Sequence, residues 1–294
     1  MLRFGIDLGG TKTEGTILDG RSGERLFRER IATGQSSYDA LLTGVERLYR
    51  RMAEHAGETA HTLGIGTPGA VSARTGLLKN SNTLCLNGRP VAHDLRARLG
   101  RELALENDAN CFALAEARLG AGRGRRVAFG VIMGTGCGGG IVIDGQIHSG
   151  LQSIAGEWGH TRIDPAGPQC YCGQRGCVET FISGSGLEAR YAEACGERCA
   201  AAEIVARSRA GDERCGRIMA AFFAHFGQAL ANLIAVLDPD IVVLGGGLSN
   251  IDELYTRGVR EVAARVFSDS LETPIVRHAL GDAAGAIGAA LVGA

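Results

Sequence analysis

Between His160 and Cys177 the chain offers one imidazole and three thiols, Cys170, Cys172 and Cys177. Three cysteines and one histidine satisfy tetrahedral zinc, and the Cys-x-Cys turn, with Gly173 and Gly176 nearby, lets sulfurs converge. Four protein ligands close such a site and make it structural. The competing readings are a disulfide or three idle thiols; nine cysteines, an odd number, without an export signal argue against a full disulfide framework. Glu157 and Glu179 flank this stretch, either as surface charges or as rigidified acceptors for sugar hydroxyls.

Three glycine turns follow strand-like runs: Gly9-Gly10-Thr11-Lys12, Gly134-Thr135-Gly136 and Gly245-Gly246-Gly247. Glycine lets backbone N–H groups crowd around an anion, so such turns are ready phosphate cradles. With the Thr11 and Thr135 hydroxyls they suggest a nucleotide whose phosphates lie between two domains, and Lys12 adds charge. Neither a P-loop nor a dinucleotide fingerprint is present, and the first turn leads into a strand instead of a helix. Asn107-Asp108-Ala109-Asn110 ends a strand and opens a helix. Asp108 is then either a helix cap or, opposite a phosphate cradle, a base that aligns and deprotonates an acceptor hydroxyl.

These groups need elements to hold them. Phe4 to Gly20 and Phe129 to Gly145 align without gaps and are identical at Phe4/Phe129, Gly5/Gly130, Gly9/Gly134, Gly15/Gly140, Asp19/Asp144 and Gly20/Gly145. Either the chain carries a duplicated half with two hairpins serving a shared cleft, or two glycine-rich hairpins merely look alike. Helical spacing covers Ser37 to Ala56, Ala109 to Leu119 and about 212 to 237, with further helices at about 252 to 266 and 282 to 292. Strands are expected at Leu63 to Gly69, Leu103 to Asn107 and Ile241 to Leu244. Strands alternating with helices mean an α/β protein. The glycines at 120, 122 and 124 mark a hinge, giving an N-terminal domain of 1–118, joined by the terminal helix (about 281–294), and a C-terminal domain of 119–280 with the zinc site.

Composition sets the frame. The 294 residues are 45% hydrophobic and 21% charged, enough for two cores. Thirty-one basic against thirty-two acidic residues leave a net charge of -1, so no global field favours nucleic acid or an anionic membrane. No apolar run approaches the roughly 20 residues needed to span a bilayer, and no signal peptide is evident, so a cytoplasmic protein is expected. Cys85, Cys111, Cys137, Cys195, Cys199 and Cys215 read as small buried hydrophobes.

Taken together, Asp7 to Thr13, Asn107 to Asn110, Gly134 to Gly136, Gly156-Glu-Trp-Gly-His160, the cysteine set through Glu179, and Leu237 to Gly247 resemble the ROK family of sugar kinases and repressors. The resemblance covers nearly the whole chain. It implies a two-domain actin-like, hexokinase-like α/β fold, a duplicated ribonuclease H-like design with an interdomain cleft. It also implies ATP with Mg2+ at Asp7, Gly9, Gly10, Thr11, Lys12, Gly134, Thr135, Gly136, Gly245, Gly246 and Gly247. By the same resemblance Asp108 is the catalytic base, and Gly69, Asn82, Asn107, Asp108, Glu157, His160 and Glu179 approach the sugar. His160, Cys170, Cys172 and Cys177 match the zinc set, His160 giving one ring nitrogen to the metal and leaving the other for the sugar.

The subgroup most similar is the bacterial fructokinases, through Thr11 to Glu14, Leu86-Asn-Gly88 and Cys170-Tyr-Cys172; N-acetylglucosamine kinases, which share Asn110 to Leu114, come second. The short interval from His160 to Cys170 departs from some fructokinases. The expected activity is ATP-dependent phosphorylation of the 6-hydroxyl of a free hexose, fructose first, with N-acetylglucosamine or glucose as alternatives. A free sugar is favoured over a sugar phosphate because the carboxylates would repel the anion. A homodimer is expected, with no nucleic acid and no membrane partner. A repressor is disfavoured because the hairpin at residue 4 leaves no room for a preceding helix-turn-helix. An Hsp70-like or actin-like ATPase gives no reason for the Glu157 and Glu179 pair.

Overall fold

Phe4, Ile6 and Leu8 alternate with Gly5 and Asp7, the period of a two-faced strand. The computed structural model, which describes residues 1–34 and 37–293, forms β1 (Leu2–Leu8) there, followed by β2 (Lys12–Asp19) and β3 (Arg25–Ala32). Next come α1 (Tyr38–Ala56), β4 (His61–Thr67), the short strands β5 (Ala70–Val71) and β6 (Leu78–Lys79), α2 (Val91–Leu99), β7 (Ala104–Asn107) and α3 (Asp108–Leu119). A second hairpin, β8 (Val127–Met133) and β9 (Cys137–Ile143), leads to β10 (Gln146–Ile147), then α4 (Glu179–Ile182), α5 (Gly184–Cys195), α6 (Ala201–Arg209) and α7 (Glu213–Leu237). The chain closes with β11 (Ile241–Gly245), α8 (Arg257–Ala263), β12 (Ile275–Arg277) and α9 (Ala284–Val292).

Two five-stranded sheets have the orders β3-β2-β1-β4-β7 and β10-β9-β8-β11-β12. In each, an antiparallel hairpin is extended by strands running parallel to its first member. This is an α/β fold. The matching orders give the two similar hairpin sequences the same place in two sheets, as a duplication requires.

The chain divides into two compact units, one of Met1–Gly124, Gly140–Ala155 and Ala279 onward, the other of Arg125–Gly139 and Gly156–His278. The division differs from the expected one in two ways: the first segment runs on to Gly124, and Gly140–Ala155 goes with the first unit.

In the first unit Phe4, Ile6 and Leu8 join Leu41, Val45, Leu48 and Met52 of α1 in one core. Each such burial contributes about 1.5–3 kcal/mol. Ser37 caps α1, its hydroxyl accepting from Ala40 N at 3.1 Å. On the other face of β1 and β4, small residues let α9 lie directly on the sheet: an ideal Cβ on Gly64 would stand 1.9 Å from Ala289 O.

In the second unit α7 buries Met219, Phe222, Phe223, Phe226, Leu230 and Ile234. It is the one helix among the described residues long and apolar enough to cross a membrane by length and composition alone, but His225, Gln228 and Asn232 interrupt its apolar run and it packs against α6 and α8. The expected helix at 252–266 is instead a 3-10 turn, Asp252–Tyr255, and the shorter α8, broken at Thr256, whose backbone is not helical. Of the cysteines read as buried, Cys111, Cys137 and Cys215 are, whereas Cys85, Cys195 and Cys199 are partly exposed.

Candidate active site

In the first unit the Gly9–Lys12 turn is stapled from β3 outward. Thr33 donates its hydroxyl to Gly9 O at 2.8 Å and its N–H to Thr11 O at 3.0 Å. Thr11 and Lys12 are left exposed at the tip. Beside the turn, β1 delivers Asp7. Burial pushes its carboxyl up to about 7, and the neighbouring carboxylates of Asp108 and Glu14 push the same way, against a smaller pull from Arg30. Oδ1 of Asp7 is buried without a hydrogen-bond partner. Glu14 is fully engaged, accepting from Arg28 Nε at 2.9 Å and from Arg30 Nε at 2.6 Å. An orphaned carboxylate oxygen near a second carboxylate is the donor chemistry a hard cation such as Mg2+ takes; Asp7 is the residue here that fits it.

The helix-cap reading of Asp108 gives way to Asn107. The Asn107 Oδ1 accepts from Ala109 N at 2.9 Å and Asn110 N at 3.1 Å, while its Nδ2 donates to Gly69 O at 3.1 Å. Asn107 is therefore both N-cap of α3 and a clamp on the Gly69 turn. Asp108 is half-buried in the first turn, one oxygen accepting from Ala109 N at 2.8 Å. Asn82 lies exposed in the segment after β6.

In the second unit the Gly134–Gly136 turn is held by the α4–α5 junction. Gly184 N donates to Gly134 O at 2.7 Å, and the Ser185 hydroxyl to Thr135 O at 2.6 Å. Glu179, at the start of α4, accepts from Cys137 N at 2.9 Å. Only glycine at 136 allows this, since a Cβ there would stand 2.5 Å from the Glu179 carboxylate. Gly245 ends β11, and Gly246 and Gly247 turn into a 3-10 segment. Gly134, Thr135 and Gly247 share the lining of a cavity of about 510 Å3 with Ala201, Val205 and Asn250. Two glycine turns at the edge of an apolar chamber suit the phosphates and the base of a nucleotide. The α5 and α6 part of this wall was missed in the sequence, where it carries no motif.

Glu157 and His160 are set by the residues between them. Trp158 is buried, bonds Gly138 O through Nε1 at 3.0 Å and meets Phe129 edge-on at 5.8 Å. Gly159 lies against β9 where a Cβ would be 2.0 Å from Cys137 O. His160 Nδ1 stands 3.6 Å from Cys170 Sγ, Cys172 Sγ is 3.6 Å from Cys177 Sγ, and one donor atom from each of the four residues lies within 4.8 Å of the others. Zinc bonds of about 2.3 Å to sulfur and about 2.0 Å to nitrogen in a tetrahedron give edges of about 3.5 Å for N–S and about 3.8 Å for S–S. The two measured pairs stand at about the spacing zinc takes, and the set of four is compatible with a tetrahedral zinc.

The model of the ROK family matches residues 3–293. The chain is 38% identical to the N-acetyl-D-glucosamine kinase of Pasteurella multocida (strain Pm70), over 98% of both chains. Among solved structures it superposes on the ROK hexokinase from Thermus thermophilus with a TM-score of 0.88 at 33% identity, covering 100% of this chain and 98% of that one. It also superposes on a ROK family glucokinase from Streptomyces griseus, solved with glucose and AMPPNP, at 0.83 and 28%, covering 100% and 99%. The sugar ranking drawn from the motifs, fructokinases before N-acetylglucosamine kinases, is not the order these relatives favour. The hexokinase-like α/β fold is the one the motifs implied, and the chain belongs to the ROK family, as one of its sugar phosphotransferases.

Proposed function

We propose that the protein uses ATP to phosphorylate the 6-hydroxyl of N-acetylglucosamine. The observation that carries the substrate is the end-to-end similarity, at 38% identity, to an enzyme named for that sugar. It displaces fructose, whose support was the sharing of short motifs such as Cys170-Tyr171-Cys172. In this reading Asp108 accepts the proton of the attacking hydroxyl, because the Asn107 side chain does the capping and Asp108 stays poised at the mouth of α3. Asn107, Glu157, His160 and Glu179 hold the remaining hydroxyls, with Gly69 positioned through Asn107 and Asn82 at the rim. The turns at Gly9–Lys12 and Gly134–Gly136 take the phosphates, and Gly245–Gly247 the nucleoside side. Asp7 would face the magnesium carried with ATP, which would supply charge neutralisation to the transferring phosphoryl group. His160, Cys170, Cys172 and Cys177 would hold a zinc ion, which would fix the imidazole.

Coupled assays of ATP consumption against N-acetylglucosamine, glucose, mannose and fructose test the reading. The specificity constant is expected to be highest for N-acetylglucosamine. A highest value for fructose would restore the motif-based ranking and overturn this one.

A further inference from the structure

Helix α5 separates two cavities of the second unit. Gly184, Ser185 and Glu188 line the chamber beside the Gly134–Gly136 turn, while Leu187, Arg190 and Glu193 line another, of about 470 Å3, on the far side of the helix. Spacings of three and four put each set on its own face. The facing wall of the second cavity is α7, where Arg214, Arg217, Ile218, Phe222 and His225 recur at the same spacing. None of these side chains takes part in the transfer reaction as built above.

Three guanidinium groups thus line this cavity with one carboxylate, Glu193, and their charge is poorly answered. Arg190 lies over the Phe181 ring at 5.0 Å, its Nη1 stands 3.4 Å from Glu193, and its Nη2 is buried without a hydrogen-bond partner. A charged donor left unmade in the interior is costly. Arg217 reaches Glu213 at 3.7 Å, but both side chains are mostly exposed, where such a pair contributes little. For Arg214 the foremost neighbour is the Cys195 thiol, ahead of Asp212. His225 adds no charge at neutral pH: burial, and next the charge of Arg190, hold its pKa below the usual value. Three arginines against Glu193 leave the lining with two positive charges.

Guanidinium forks match phosphate oxygens, and a phosphate monoester carries about two negative charges at neutral pH. A cavity of this order suits a small organic molecule rather than a bare ion, and Leu187, Ile218 and Phe222 give its body an apolar wall. We infer that the cavity between α5 and α7 is a second anion site, which binds an organic phosphate monoester of phosphosugar size. The site depends on neither the choice of hexose nor the zinc ion.

Glucose 6-phosphate and inorganic phosphate are the probes, titrated by calorimetry into wild-type protein whose nucleotide site is filled with AMPPNP. One glucose 6-phosphate is expected to bind per chain, more tightly than inorganic phosphate. Arg190→Met, and separately Arg214→Met combined with Arg217→Met, are each expected to weaken it about tenfold or more through lost charge-assisted hydrogen bonds. Arg74→Met, which removes an exposed arginine of the first unit, is expected to leave it unchanged. Thermal midpoints are measured alongside; if Arg190→Met does not fold, the double variant at the more exposed arginines decides. No binding beside AMPPNP, binding that the cavity variants retain, equal affinity for inorganic phosphate, or an equal loss in Arg74→Met would overturn the site. A wild type that binds glucose 6-phosphate in this way but phosphorylates no sugar removes the proposed function and leaves the site standing.

Discussion

Replacing Asp7 by Asn tests whether the first unit buries a carboxylate at a cost to its own stability. The carboxyl titrates at 3.8 in an unperturbed chain and about 7 in the fold. At about 1.36 kcal/mol per pKa unit this rise corresponds to about 4 kcal/mol. The raised value means that the folded state holds the proton more tightly than the unfolded state. Asp7 is therefore harmless below pH 3.8, and its cost grows as pH rises until it is complete above 7. Asn keeps the shape without the charge. In denaturant titrations without magnesium or nucleotide, Asp7→Asn is expected to be more stable than wild type by up to about 4 kcal/mol at pH 8, with the gap closing between pH 7 and pH 4. A gap that is constant with pH, or that widens on acidification, would refute the burial argument. On the reading that Asp7 faces magnesium, added magnesium should narrow the gap by binding wild type only.

Asp108→Asn is expected to lower kcat by about 10²- to 10⁴-fold while N-acetylglucosamine still binds by calorimetry, because the amide keeps the shape but takes no proton; near-wild-type turnover would remove Asp108 as base. Elemental analysis of protein purified without chelator should find one zinc per chain. Cys172→Ser should lose it and raise KM for the sugar before KM for ATP; a metal-free wild type with a fully active variant would contradict the zinc reading. Gly64→Ala places a methyl 1.9 Å from Ala289 O and should destabilise by about 1–3 kcal/mol or more, since the backbone of α9 must move. An unchanged denaturation midpoint would show that α9 does not lie on β4 as described.

What was legible in the sequence was local in the chain. His160 and the three cysteines could be read because soft ligands at close spacing have few other uses, and they converge here within 4.8 Å. Both hairpins announced themselves by glycine between apolar runs. The Asp108 segment was placed at the right junction, but which residue capped α3 depended on side-chain direction, and Asn107 took that role. Asp7 was recognisable only as part of a motif. Its burial is built from pieces far apart in sequence, including Gly285 of α9, where a Cβ would come 2.4 Å from its carboxylate. β3 was missed because Arg25, Arg28, Glu29 and Arg30 hide its alternation; charged residues of this kind are what an edge strand carries. The cavity wall from α5 and α6 shows in sequence as ordinary amphipathic helix. The sugar ranking failed for a related reason, since substrate choice turns on a few contacts that short shared motifs do not sample.

The most direct test of the proposed activity is the identity of the phosphorylated product. Wild-type protein incubated with ATP, magnesium and N-acetylglucosamine should yield a phosphosugar whose phosphorus couples, in a proton–phosphorus correlation spectrum, to the two protons on C6. Coupling to the anomeric proton, or ATP consumed with only inorganic phosphate appearing, would contradict a base at Asp108 directing transfer to the 6-hydroxyl.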